Sequence, residues 1–509
     1  TNEARRLAKI ARDETTAKTQ ALAEYQKMAD ARRLENADRE ARQLWPVGPD
    51  IVDDLMAWQT RYAPLFARLP AHEQALVELE SQALPYTAED RTRDFAEELD
   101  LIQQIKDSLA PLRPEFRREY EARMKRLTKV VDGRRSWDFG EDVDRQFRHG
   151  ALRRLTSAYR KFEVPDTGVR ASIAKRLEQS RRIQDETIIN QQELWDACIA
   201  RIKESKKYGG MELSPQLGLV PLGANPTSGF EEFLHWQTHD GPLPQRNAKG
   251  RWSLSEKTGV VFALLPRGTF LMGSQNERPE DKRYDKLFRD NELLHEVTLD
   301  AFFISKFEMT QGQWKRFTGE VPSSYLPGFK SRTMIHAITA AHPVENVTWF
   351  RCRKVLRQLG MLIPTEAQWE YAARAGQDSL YSGTSDPAEL GRFANMPGIE
   401  TKGLFGNADS RYADDYPTHA PVGSFDPNEF GLYDMNGNLW EWCRDRFGTY
   451  QNPTRPGDGL RPSAASNRQY RGGSFGGTPE QQRLAYRTET NPELKFNGLG
   501  IRPSRRIEP

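Results

Sequence analysis

The amino-acid texture of the chain changes abruptly near Lys207, so one uniform domain cannot accommodate both halves. Before that point Ala, Leu, Arg, Glu and Lys dominate, and apolar residues recur every three or four positions, the period of an amphipathic helix. After it Gly, Pro, Asn, Trp and Phe rise, the helical period disappears, and short apolar runs alternate with long turn-rich stretches. With 509 residues, 37% of them hydrophobic, the chain has room for about two to four domains and at least one large core. The expected fold class is α+β: an N-terminal all-α stalk and bundle, then a loop-rich domain.

The helical half divides at WPVGPD, residues 45–50, where Pro and Gly end a helix. Residues 1–45 read as a charged helical stalk, free of Pro and Gly from Asn2 to Leu44, with Leu7, Ile10, Ala17, Ala21, Tyr25 and Met28 at helical spacings. Ala and Thr thin that seam, leaving a solvated helix or a partial coiled coil. Residues 46–210 read as a bundle, in segments such as IVDDLMAWQTRYAPLFARL, EFRREYEARMKRLTKVV and RASIAKRLEQSRRIQDETIINQQELWDACIARIKES. His72, His149 and Cys198 fall here as surface or core filling. The string DFG at 138–140 stands without a Gly-rich loop, VAIK or HRD, and is a chance match to a kinase motif.

Residues 211–255 read as a connector with short strands, and 256–507 as the second domain. GVVFALL (259–265) and EVTLDAFFI (296–304) read as strands. Three short helices carry their own start signals: Thr310 with Gln313 before MTQGQWKRF closes, Thr348 before WFRCRKVLRQLG, and Thr365 with Gln368 in PTEAQWEYAARAG, which ends on Gly376. Long loops fill the remainder, and loops of that length carry function or bound ions.

Several function classes lose support. The formal charge of +2 is the small difference between 74 basic and 72 acidic residues, which gives no general field for nucleic acid or anionic membrane. Basic runs at Arg153, Arg154 and Arg160, or at Arg502, Arg505 and Arg506, mark solvated faces rather than a nucleic-acid groove. Cys198, Cys352 and Cys443 form no CxxC pair, which argues against a disulfide framework or a thiolate zinc site. No run of 18 apolar residues spans a bilayer. The chain begins at Thr1, without a signal-peptide pattern, and reads as part of something longer. No Walker loop or HExxH occurs, and the GxSxG string at 472–476 has no histidine after it, the last being His419.

GTFLMGS, EVTLDAFFISKFEMTQGQW, HPVENVTWF, LIPTEAQWEYAARAG, APVGSFDPNEFGLYDMNGNLWEWCRD, RGGSF and GLGIRPSR occur in one order over residues 256–507. Together they resemble the formylglycine-generating enzyme, or sulfatase-modifying factor, family. The stretch from Gly218 to Phe270, behind a helical region, further resembles bacterial serine/threonine kinases that carry such a domain at their C-terminus. That implies a kinase or other signalling domain upstream. It leaves localisation open, cytoplasmic or extracytoplasmic according to whether a membrane helix precedes Thr1.

The resemblance implies a C-type-lectin-like fold, low in regular secondary structure and stabilised by one or two calcium ions. In GLYDMNGNLWEW it implies Asp434 and Glu441 as side-chain donors and Gly437 and Leu439 as carbonyl donors, the hard oxygens that calcium takes. For the other loop it implies Asp414 and Tyr416, preceded by an Asn and a carbonyl donor. Asn407 with Ala408 and Asn395 with Met396 both fit that description, the nearer Asn407 being preferred.

Formylglycine-generating members use two cysteines after the RGGS-type turn to bind copper, a soft ion that thiolates hold. Those positions fall on Gly477 and Gln482, so no copper is expected. A related branch uses iron held by three histidines, and His235 and His239 in HWQTH form the only HxxxH pair. Gly241 and Pro242 end any helix there, which weighs against a shared metal.

The expectation is therefore a recognition or sensor module without catalysis, binding a peptide, protein or small polar ligand in a former active-site groove lined by Arg471, Ser474, Phe475, Arg487, Glu489 and Asn491. Against that lining stands the reading in which Arg471 and Arg487 only brace the core. The rival function is a metal-dependent oxidase or oxygenase.

Overall fold

The structure is a computed structural model that describes residues 2–109, 114–330, 336–401, 409, 411–412 and 414–509. The chain folds as two compact units, residues 1–43 with 54–174, and residues 44–53 with 175–509. The structural boundary lies inside a helix, some way before the change in composition.

The first unit holds α1 (Asn2–Ala41), α2 (Val52–Phe66), α3 (Leu69–Glu80), α4 (Ala88–Asp94), α5 (Ala96–Leu109), α6 (Pro114–Val131) and α7 (Val143–Glu163), and ends within α8 (Val169–Thr187). The stalk expectation holds for α1 only as a helix. Its C-terminal part is packed: Leu34, Ala37 and Ala41 are buried, and the Trp58 indole donates to the Ala37 carbonyl. Asp30, fully buried, accepts from Arg68 at 2.8 and 2.6 Å and lies 3.1 Å from His72 Nε2, so a charge read as solvated is an internal ion pair.

The second unit continues with α9 (Gln192–Glu204), α10 (Gln311–Thr318), α11 (Trp349–Gln358) and α12 (Glu366–Arg374). The segment 170–205, read as one helix, breaks between α8 and α9 because the Thr187 carbonyl turns aside to accept the Trp195 indole at 2.7 Å. Trp195, Cys198 and Ile202 of α9 then enter the main core, with the Trp195 ring tilted at 33° against Phe233, 5.6 Å between centroids. This packing joins α9 to the second unit and explains the early boundary.

The strands are β1 (Leu219–Ala224), β2 (Glu231–His235), β3 (Val261–Leu265), β4 (Gly268–Met272), β5 (His295–Leu299), β6 (Phe302–Ser305), β7 (Ala394–Asn395), β8 (Asn436–Gly437), β9 (Trp440–Arg446), β10 (Arg468–Arg471), β11 (Thr488–Thr490), β12 (Leu499–Gly500) and β13 (Ser504–Arg506). The main sheet runs β1-β2-β3-β6-β13. Residues 219–235 are thus two strands of the domain's own sheet rather than a connector, with Phe233 paired to Phe262 across β2 and β3. EVTLDAFFI is two strands in different sheets, since Asp300 turns out to donate its N–H to the Gly457 carbonyl.

All three short helices form where their caps place them. Thr310 with Gln313 and Thr365 with Gln368 make reciprocal capping boxes, and Thr348 accepts the Arg351 N–H. The third helix stops at Arg374, with Ala375 and Gly376 both at positive φ. A second sheet, β11-β10-β9-β12, carries the RGGSF turn at the end of β10.

Candidate functional site

The turn after β10 is built for close approach. Gly472 and Gly473 have φ of 101° and 78°, and a Cβ on Gly473 would collide with the Gln482 amide. Gln482, at a position where the family resemblance implies a thiolate, is buried and donates Nε2 to the Ser474 carbonyl at 3.1 Å. Gly477 closes the same turn by donating its N–H to that carbonyl at 2.8 Å. The three cysteines are buried and free, and burial pushes their thiols up, away from the thiolate form.

The arginines of this stretch do not line a groove. Arg471 is fully buried and donates to Glu366 Oε1 at 2.8 Å and Glu370 Oε2 at 2.5 Å, and also to the Leu484 carbonyl. Arg487 makes a two-pronged pair with Glu366 at 2.7 and 2.9 Å, its guanidinium lying 3.7 Å from the Tyr450 ring centroid. Arg483 is held by Glu292 and Asp285. Both guanidiniums are held by buried carboxylates and backbone carbonyls, with only Arg471 Nε left without a partner, so the bracing reading holds for Arg471 and Arg487, and both leave the expected ligand set. Glu489 is half-buried on β11 opposite Gln469, and exposed Asn491 accepts the Glu493 N–H in the next turn, so these two follow the strand and turn.

Ser474 and Phe475 are buried, and Phe475 leads to a cluster that no motif search singled out. Its ring lies 6.1 Å from His419 at 83° and 6.2 Å from Tyr325 at 74°, while Tyr325 and His419 lie 5.4 Å apart at 81°. His342 follows at 5.4 Å from His419. Glu345 Oε1 accepts the Tyr325 N–H at 2.9 Å and lies 4.0 Å from His419 Nε2. Asn438 holds the two halves together: its Oδ1 accepts the Ala420 N–H at 2.8 Å, and its carbonyl accepts the Phe475 N–H at 3.0 Å. His342 is placed by its carbonyl, which accepts the Gln311 N–H at the start of α10.

The electrostatics of this cluster are unusual. His419 and Glu345 are buried, and neither ring nitrogen of His419 nor Glu345 Oε2 has a hydrogen-bond partner. Burial pushes His419 down to about 3 and His342 down to about 4, so both imidazoles are neutral at neutral pH. Nδ1 of His342 accepts the Thr339 N–H at 3.0 Å, which places its proton on Nε2. Burial pushes Glu345 up to about 7. The 4.0 Å separation is the outer limit of an ion pair, and the loss of solvation on both sides opposes the charged pair. Each unsatisfied buried group costs about 1–3 kcal/mol, a cost that a bound polar partner would remove.

The loops implied for calcium meet at Asn395. Asn395 pairs with Gly437 across β7 and β8, and its carbonyl accepts the Asn438 N–H at 3.2 Å. Asp414 Oδ2 accepts the Met396 N–H at 3.3 Å, and its Oδ1 accepts the Tyr416 N–H, so the structure brings the Asn395 alternative beside Asp414. Asn407 and Ala408 lie outside the described residues. Asp434 Oδ1 and Asn395 Oδ1 are buried without partners, and burial pushes Asp434 up to about 6. Each is a hard oxygen donor, one on each of the two implied loops. Glu441 offers none, because Arg502 and the Trp369 indole occupy both its oxygens. Leu439 gives its N–H to Glu308 at 3.0 Å. Among the described residues no three His, Cys, Asp or Glu side chains converge as a metal cluster.

His235 ends strand β2 rather than riding a helix, so His239 does not share its face. The His235 nitrogens meet the Leu359 carbonyl and Thr238, and those of His239 meet the Gly241 and Pro242 carbonyls and the Gly259 N–H. In the first unit a concavity of about 960 Å³ opens between α1 and α7, floored by Leu34, Leu155 and Phe162. It is an amphipathic cleft between helices, without histidine or cysteine.

Residues 253–507 match the family described as the sulfatase-modifying factor enzyme 1-like domain. Serine/threonine-protein kinase pkn1 of Chlamydia pneumoniae is 30% identical over 239 residues, 43% of this chain and 35% of the kinase. The formylglycine-generating enzyme of Streptomyces coelicolor is 34% identical over 167 residues, 32% of this chain and 52% of the enzyme, and that of Bos taurus 25% identical over 349 residues, 58% and 89%. The chain matches between 35% and 38% of the length of three chlamydial kinases. Among solved structures, PvdO from Pseudomonas aeruginosa is 25% identical with a TM-score of 0.40, over 53% of this chain and 100% of that one. No helix among the described residues is long and apolar enough to cross a membrane.

Proposed function

The chain belongs to the sulfatase-modifying factor enzyme 1-like family through residues 253–507, and from that premise we propose that this domain is a recognition module for a small polar ligand or a peptide side chain. What supports recognition is the buried, unpartnered set of His419 nitrogens and Glu345 Oε2, beside Phe475 of the RGGSF turn. Copper-thiolate oxidation, the rival, finds no support at Gly477 and Gln482 or in the buried cysteines. The loop-rich build of residues 253–507 is consistent with the C-type-lectin-like fold. In this proposal the domain and the helical unit belong to a larger signalling protein of the kinase type, supported by the similarity to the chlamydial serine/threonine-protein kinases. Histidine-labelled full chain titrated with a panel of neutral and charged N-acetyl amino-acid amides tests the site by NMR. Shifts at His419 and His342, with His235 unmoved, are expected; silence across the panel overturns the proposal.

Calcium enters the proposal through Asp434 and Asn395, and not through Glu441. Adding calcium to chelator-treated protein is expected to raise Tm, and Asp434→Ala to remove most of that rise, as ligand binding to the native state alone requires. An unchanged Tm takes the ion out of the proposal.

A further inference from the structure

We propose that the trough between α1 and α7 is the seat of a third helix, an amphipathic segment of a partner protein with glutamate or aspartate along one flank. This seat lies wholly in the first unit and is independent of the recognition reading above.

The walls have the period of helix packing. The concavity of about 960 Å³ follows α7 from Asp144 to Phe162, about 27 Å of helix axis, and α1 from Lys27 to Arg42, about 22 Å. Its lining residues on α7 recur seven apart: Arg148, Leu155 and Phe162 form one row, and Phe147, Arg154 and Lys161 another. On α1, Lys27 with Leu34, Ala31 with Asp38 and Glu35 with Arg42 keep the same interval. A seven-residue repeat on two neighbouring helices is the register into which a third helix inserts its side chains.

Room and apolar surface are both present. Ala31, Ala151 and Ala158 are small and half-buried, so another backbone can come close. Leu34, Leu155 and Phe162 floor the trough, and Phe147 at its rim is 66% exposed. The outer row of α7, Phe147 with Arg154 and Lys161, is exposed throughout, which opens the trough to solvent. An amphipathic helix laid in such a groove covers the floor with its apolar face.

Charge selects the flank. Arg145 and Arg160 of α7 pair with Asp142 and Glu73, whereas Arg148, Arg154 and Lys161 form no ion pair among the described residues. Arg154 and Lys161 also line a second concavity, of about 570 Å³, together with Arg135 and Arg153 and with no acid. Of the acids at the trough, Asp38 pairs with Arg42, Asp144 sits in the first turn of α7, and Glu35 stands on the opposite wall. The α7 rim is therefore positive, and carboxylates along the partner's facing flank complement it. A basic helix would set its charges against Arg154 and Lys161.

The test is fluorescence anisotropy on the full chain with three labelled peptides of about 18 residues, long enough to fill the trough. One has Leu at heptad positions a and d and Glu at e and g, one has Lys in place of each Glu, and one scrambles the first. The Glu peptide is expected to bind at least about tenfold tighter than the other two, and more weakly as salt rises. Ala151→Trp should fill the trough and abolish binding. Arg154→Glu, at an exposed position that the fold does not need, should reverse the preference between the Glu and Lys peptides. The peptide comparison is read on the wild type, so it stands if a variant misfolds. Binding of the Lys or scrambled peptide as tight as that of the Glu peptide overturns the proposal, and so does binding of none. A chain that light scattering shows to be dimeric, and that Ala151→Trp makes monomeric, gives the seat to a second copy and overturns the partner assignment. The amide titration at His419 is read separately, so either proposal can fail alone.

Discussion

Arg471→Met is expected to cost about 3–5 kcal/mol of unfolding free energy in a denaturant titration, enough to threaten the fold of the domain. The guanidinium is fully buried, and its removal takes one of two cations from Glu366, whose other is Arg487, one of two from Glu370, whose other is Arg374, and the donor from the Leu484 carbonyl, in a place water does not reach. Arg506→Met is the contrast. Arg506 pairs with Asp458 at 3.4 Å from an exposed position, and its loss should stay below about 1 kcal/mol, as exposed pairs do. A small effect at Arg471, combined with lost ligand binding, would return that residue to the groove and sink the bracing reading.

Glu345→Gln should make the protein more stable than wild type at about pH 8, by about 3 kcal/mol, and bring no such gain at about pH 5. The folded-state value of Glu345 is raised from 4.5 to about 7, so the native protein holds a proton there that the unfolded chain has released. The stability tied to that proton is complete below the unfolded value and is lost as pH rises through about 7. His342 and His419 slope the other way. Their folded values lie at about 4 and about 3, below the ordinary 6.5, so their contribution is gained as pH rises toward 6.5. Subtracting the wild-type curve from the variant's isolates Glu345, and a flat difference from about pH 5 to about pH 8 would show that this carboxyl is not held in its protonated form.

Both expectations concern residues whose roles the local sequence leaves undecided, for the same reason. Arg471 finds its partners 105 and 101 residues away, on the helix of PTEAQWEYAARAG, too far along the chain for any local spacing to pair them. His342 and Glu345 stand in HPVENVTWF, a motif visible in the chain, yet their chemistry depends on His419 across a separation that no local pattern reports. Asn438, within the NGN string, signals a tight turn, and only the fold shows that it ties the segment at His419 to the one at Phe475. One signal was available: HPVEN puts a histidine and a carboxylate three residues apart inside an apolar stretch, where burial would disturb both.

What the chain shows locally, it shows well. The capping boxes at Thr310 and Thr365 involve residues three apart, and the helices begin where those side chains meet the backbone. The seven ordered motifs place residues 256–507 in their family, and Gly477 and Gln482 declare the missing sulfur without any coordinates. By itself, then, the sequence determined the helical half, the short helices, the family and the absence of thiolates at two positions, because each is a matter of residue identity or of spacing within a turn. Tertiary structure alone decided that the unit boundary lies within α8, that Arg471 and Arg487 brace the core, and that Glu345 is buried beside His419 with one carboxylate oxygen unpartnered. These depend on burial and on partners distant in the chain, and a carboxylate or guanidinium has the same letters whether water or a buried ion surrounds it.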